Sequence, residues 1–139
     1  MLKTKLLHPE ILSALGSNGH GSKLLIADGN YPFTTGVPEN AKRVFLNLTP
    51  GILSVTDVLK IIREVIPIES YLVMLPPDET PQGIHDEFRE ILGEDVTVNK
   101  VKRFDFYNEA RSPDTFLVIA TGEIRRFANI LITVGVVKY

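Results

Sequence analysis

The chain has 139 residues, a length that fits one domain, and 44% of them are apolar, enough for a core. Fifteen basic against 17 acidic residues leave a formal charge of −2, without the basic excess that nucleic acid demands. The absence of cysteine removes disulfides, thiolate catalysis and cysteine-ligated zinc, and no apolar run approaches the roughly 18–20 residues of a membrane span. The first apolar stretch breaks at His8-Pro9, too soon for a signal peptide. The expectation is one cytoplasmic domain over residues 1–139, with neither nucleic acid nor membrane as a partner.

In chain order, Pro9 to Leu15 predicts a short helix with proline in its first turn, ended by Gly16 and Gly19. Lys23 to Asp28 is a buried-type strand, and Gly29 to Asn40 a loop rich in Gly, Pro, Asn and Thr. Arg43 to Leu48 reads as a second strand. Ser54 caps the clearest helix, whose Val55, Val58, Leu59, Ile62, Val65 and Ile66 keep helical spacing up to Pro67. Ser70 to Leu75 is a third strand. Thr80-Pro81 opens a helix with Ile84, Phe88, Ile91 and Leu92 on one face, ending at Gly93. Val96 to Val101 is a strand, Phe104 to Arg111 a short helical turn, and Thr115 to Ala120 and Ile130 to Val137 are apolar strands. Strands alternating with amphipathic helices predict an α/β domain, a mixed and mostly parallel sheet covered by helices on both faces.

Ligands of open α/β sheets bind beyond the carboxyl ends of strands. Asp28 ends a strand and opens a polar loop, so its carboxylate can accept hydrogen bonds from hydroxyl groups; it fits a turn cap equally well. His20, between two glycines, sits where the backbone turns freely and a ligand can approach. An imidazole exchanges protons near neutral pH, and an Asp–His pair is a recurring way to orient one. An isolated loop histidine in solvent is the plainer alternative. Gly19-His20-Gly21 is not a phosphate loop, because it leads from helix into strand and not from strand into a helix N-terminus. His8 and His85 read as surface residues, with His85 on the polar face of its helix. No His/carboxylate group has metal-ligand spacing, no G-x-S-x-G supports a serine nucleophile, and no acidic cluster in the first-strand region supports a receiver-like signalling domain.

The C-terminal third holds "F-D-F-Y-N-E-A-R" (104–111) and "T-G-E-I-R-R-F-A-N-I-L-I" (121–132). Asn and Tyr side chains there offer uncharged partners to sugar hydroxyls, and an aromatic face can stack on a sugar ring. Core packing of Phe104, Phe106 and Phe127, with Arg125 and Arg126 in solvent, is the competing reading.

Together "H-P-E-I-L-S-A-L", "G-H-G-S-K-L-L-I-A-D-G-N-Y-P", "F-Y-N-E-A-R" and "A-T-G-E-I-R-R-F-A-N-I-L-I-T-V-G-V-V" resemble the ribose pyranase / fucose mutarotase family over nearly the whole chain, with the fucose branch favoured. The resemblance implies an isomerase that opens and recloses L-fucose or D-ribose type rings, changing anomer or ring size without a cofactor. It implies that His20 donates the proton, Tyr107 contributes to catalysis, and Asp28, Arg63, Phe127 and Asn129 hold the sugar. It also implies a ring-like homo-oligomer, a decamer, with sites near subunit contacts. Phe127 stands where the family has tyrosine, so one hydroxyl is missing; a non-catalytic monosaccharide-binding module is the alternative that this substitution keeps open.

Overall fold

The computed structural model describes all of residues 1–139. Its elements are α1 (Pro9–Gly16), β1 (Lys23–Ala27), β2 (Lys42–Phe45), α2 (Val55–Ile62), β3 (Ile68–Leu75), α3 (Gly83–Leu92), β4 (Thr97–Lys102), α4 (Arg103–Ala110), β5 (Thr115–Ala120) and β6 (Ile130–Val134). No helix is long and apolar enough to cross a membrane.

The six strands form one sheet in the order β2-β5-β1-β6-β3-β4. β1 and β2 pair parallel with β5, and β3 pairs parallel with β4. Only β6 is antiparallel to its neighbours, β1 and β3, which it joins into one sheet. Five strands therefore end on the same edge, where β6 begins.

Period-two alternation splits the core across two faces. Leu24, Ile26, Leu117, Ile119, Ile130 and Ile132 pack against Ile11 of α1, Leu59 and Ile62 of α2, and Ile84 and Phe88 of α3. Leu25, Ala27, Val118 and Leu131 face the other way, onto Phe106 and Ala110 of α4 and onto Tyr31, Val37 and Ala41 of the 29–41 loop. The expected mixed α/β sheet, helices on both faces, is the observed architecture.

The differences lie at element ends. β2 stops at Phe45, and Leu48 is 83% exposed, because Leu48, Ile52 and Leu53 belong to a turn whose carbonyls at Thr49 and Leu53 pair with Ile52 and Gly122 amides. A side chain at Gly122 would collide with the Thr49 and Ile52 carbonyls, so glycine is required where these two loops dock. α2 ends at Ile62 and closes in shorter-range turns, since the residue before Pro67 is barred from helical backbone. β6 ends at Val134, where the Gly135 amide turns to the Pro67 carbonyl.

Ser54 caps α2 as expected, in a full capping box with Asp57. The same helix start is held from across the chain by Glu123, whose Oε2 accepts the Val55 amide at 3.3 Å. Arg125 grips Glu123 with two parallel bonds, Nε to Oε1 at 3.0 Å and Nη2 to Oε2 at 2.9 Å, and reaches Glu87 with Nη1. Burial raises the Glu123 pKa, but the Arg125 hydrogen bonds outweigh it and the carboxyl sits below its ordinary value. Arg125 is thus a structural clamp between α2, α3 and the loop before β6.

Candidate functional site

The carboxyl edge of the sheet opens into a cavity of about 390 Å³. Asp28 and Asn129 form its floor, where β1 ends and β6 begins. Asp28 is 2% exposed. Its Oδ1 accepts the Asn30 amide at 3.0 Å, and its Oδ2 accepts the Ala128 amide at 3.2 Å and Asn129 Nδ2 at 3.1 Å. In return the Asp28 amide donates to Asn129 Oδ1 at 2.8 Å, a reciprocal pair that fixes which end of the Asn129 amide faces which partner. Burial raises the Asp28 pKa, and the Asn30, Ala128 and Tyr31 amides pull it back. Asp28 lines the cavity, where its carboxylate can also accept a ligand hydroxyl.

The walls come from separate elements. Tyr31 lies in the loop after β1, Met74 at the end of β3, Arg103 and Tyr107 on α4, and Arg126 and Phe127 just before β6. Tyr31 commits its hydroxyl to the Gly36 carbonyl at 2.7 Å and stands edge-on to Tyr107 at 5.5 Å. Tyr107 is therefore the lining phenol available to a ligand. Arg103 and Arg126 both lie over the Phe127 ring, at 5.8 and 5.5 Å from its centroid.

Phe127 adopts φ of +57°, the left-handed region that a β-carbon disfavours. This turn aims the Ala128 amide at Asp28. A buried histidine holds it there: His85 Nε2 donates to the Phe127 carbonyl at 3.1 Å, and its ring stacks on Phe88. His85 is 6% exposed, which corrects the expectation of a surface residue. Position 85 of α3 turns toward the sheet, and with Ile84, Phe88 and Leu92 it makes a buried face wider than the strict apolar stripe. Burial pushes its pKa down against the carbonyl bond, which favours the charged form. Replacing His85 with Phe keeps the packing but orphans a carbonyl, so thermal denaturation should show a loss of about 1–3 kcal/mol, with a less ordered cavity floor. His85→Gln, which retains an N–H donor, should recover much of both.

Asp28, Tyr107, Phe127 and Asn129 thus meet in one cavity, whereas His20 and Arg63 do not join them. His20 precedes β1 and Asp28 follows it, so five residues of strand, roughly 17 Å, separate the two ends. An Asp28–His20 pair within one chain is excluded by this placement. The exposed His20 instead meets Glu69 at the start of β3, Nε2 to Oε2 2.8 Å. Gly21 adopts φ of +82° to turn the chain there, whereas Gly19 has a negative φ and open space around it. Arg63 caps the end of α2, which runs back along the sheet to the amino edge, and lines a small cavity with Pro67, Ile68 and Val96. Its expected place in the sugar site is not what the fold builds within one chain.

The phenylalanine readings also divide. Phe106 is fully buried core, Phe127 lines the cavity, and Phe104 is 74% exposed. Sequence reasoning left out Arg103, Tyr31 and Glu69. Arg103 was accessible to the rule that placed Asp28, since it directly follows a parallel strand. Glu69 carries no local signal, because its pairing with His20 spans 49 residues.

A family model described as the RbsD / FucU transport protein family matches residues 1–137. D-ribose pyranase from Variovorax paradoxus (strain S110) is 33% identical over 142 residues, covering 98% of each chain. Fucose mutarotase from Danio rerio is 32% identical over 143 residues, covering 94% of this chain and 90% of that one. The solved structure of Bacillus subtilis RbsD complexed with D-ribose superposes with a TM-score of 0.84 at 25% identity, covering 99% of this chain and 100% of that chain. With nearly every residue inside the match and the same fold beneath it, the chain belongs to the RbsD / FucU family.

Proposed function

We propose that this chain is a monosaccharide mutarotase/pyranase, an isomerase that opens and recloses an aldose ring of the D-ribose or L-fucose type in the cytoplasm. The carrying observation is the Asp28–Asn129 pair at the floor of a polar cavity, at the edge where α/β sheets bind ligands. The Asp28 carboxylate, the Asn129 amide and the Tyr107 phenol suit sugar hydroxyls, and the Phe127 ring offers an apolar wall.

A cyclic aldose is a hemiacetal. Opening delivers a proton to the ring oxygen, breaks its bond to the anomeric carbon and removes a proton from the anomeric hydroxyl as the carbonyl forms. Rotation and reclosure by the same hydroxyl change the anomer; reclosure by another changes ring size. No electrons are transferred. In this reading His20 supplies the ring-oxygen proton, oriented by the Glu69 carboxylate, and Tyr107 serves the anomeric hydroxyl.

His20 and the cavity lie on opposite edges of one chain, so the complete site joins two copies: the His20–Glu69 edge of one against the Asp28 cavity of the next. A closed ring of copies, such as the decamer that the resemblance implies, repeats that contact head to tail.

NMR saturation transfer between the anomers of D-ribose and of L-fucose tests the reading. Exchange should be faster with protein than in buffer. Binding without faster exchange would leave a sugar-binding module in place of an isomerase.

A further inference from the structure

Three side chains press on the ring of Tyr107, the cavity's available phenol. Tyr31 stands edge-on to it at 5.5 Å, and Phe104, one turn earlier on α4, stands edge-on at 6.2 Å. The third is Arg111, whose guanidinium carbon lies 5.5 Å from the centroid of the same ring. Residues four apart share a helix face, so the sequence itself sets Arg111 beside Tyr107. The Arg111 amide donates to the Tyr107 carbonyl at 3.0 Å and closes the last turn of α4.

A second anchor steers the arginine. Its Nε donates to the Thr35 carbonyl at 3.1 Å, in the loop after β1. A long exposed side chain has many rotamers, and this bond selects one that lies across the phenol. Arg111 pairs with no carboxylate, so its charge is left to the aromatic face, which attracts a cation. The same loop carries the Asn30 amide that binds Asp28. One guanidinium thereby ties two walls of the site together, α4 with its phenol and the loop with its hold on Asp28. Arg111 itself does not line the cavity. Any part it takes in ring opening is taken through Tyr107.

We propose that Arg111 is a positioning residue: anchored on Thr35, it holds the Tyr107 ring so that the hydroxyl faces the anomeric oxygen of the bound sugar. This rests on the reading of the Asp28 cavity as the sugar site and of Tyr107 as the group that serves the anomeric hydroxyl. A hydroxyl in that role acts only within hydrogen-bond reach, so a ring free to swing loses rate before it loses sugar.

The test is a double-mutant cycle on the full-length protein in its native assembly. Anomer exchange of D-ribose and of L-fucose is read by saturation-transfer NMR over a range of sugar concentrations, which separates kcat from KM. Arg111→Gln should lower kcat by about 10–100-fold, the cost of a reacting group misplaced by about an ångström, and leave KM within about twofold. Arg111→Lys, which keeps a cation within reach of the ring, should recover most of the loss. In a Tyr107→Phe background the same Arg111→Gln change should cost nothing further, because no hydroxyl is left to misplace. An arginine with a merely structural role would lower the rate by the same factor in both backgrounds. That result, or full kcat in Arg111→Gln, would overturn this inference and leave the role of Tyr107 standing. Tyr107→Phe as fast as the parent would remove the phenol from the chemistry and the proposal with it. A parent protein that leaves exchange at its buffer rate would remove the isomerase reading on which both stand.

Discussion

His20→Ala should slow protein-catalysed anomer exchange by about 10²–10⁴-fold, the span that a single general acid–base group contributes. Sugar affinity should hardly change, because the residues proposed to grip the sugar lie on the other edge of the sheet. The fold should survive too: the His20 side chain is 59% exposed and its one partner, Glu69, is 54% exposed. Surface changes of this kind usually fall within about 0.5 kcal/mol of neutral. Saturation-transfer NMR gives the rate and a sugar titration the affinity. A His20→Ala protein as fast as the parent takes the imidazole out of the mechanism. Glu69→Gln should fall between the two, since it keeps a hydrogen-bond acceptor but not the carboxylate.

Asp28→Ala should do the opposite and weaken binding first. The substitution removes the acceptor for a sugar hydroxyl and, with it, the acceptors of the Asn30 amide, the Ala128 amide and Asn129 Nδ2. Hydrogen bonds to a charged group are worth about 1.5–3 kcal/mol, so affinity should fall by roughly 10–100-fold, with a further loss of stability from donors left unpaired in a buried site. Calorimetric titration checks the first and thermal denaturation the second. Unchanged affinity would mean that Asp28 is only the clasp between β1 and β6. The two variants also test the shared site. If His20 and Asp28 of a working site belong to different copies, unfolding and refolding an equal mixture of the inactive variants should regenerate about a quarter of the sites. A mixture that stays inactive, each variant alone assembling normally, would place both residues in the same copy.

The fold was legible because its strongest elements carry strong patterns. β1, β5 and β6 are short apolar runs, and α2 has both helical spacing and a capping box, so their types follow from the residues alone. The ends were less legible. Ile52 and Leu53 look like continuing apolar structure, yet they sit in a turn fixed by Gly122 from 70 positions away. The site divides in the same way. Asp28 could be found because strand ends are where sheets bind ligands, and Asn129 and Tyr107 because a family pattern points to them. His85 could not. Its sequence neighbours Asp86 and Glu87 are polar, and only the position of the Phe127 carbonyl decides that this helix face turns inward. The place of Arg63 was hidden for a related reason: helical spacing tells which face a residue occupies but not which edge of the sheet the helix end will reach.

β6 gives the sheet its middle and is the last of the six strands to emerge from the ribosome. Until it arrives, β1 with its neighbours and β3 with β4 are two separate ribbons, each showing a raw hydrogen-bonding edge. Asp28 has no Asn129 to hold it, and the mouth of the cavity does not exist. The docking of β6 therefore joins the two ribbons and completes the pocket in a single event.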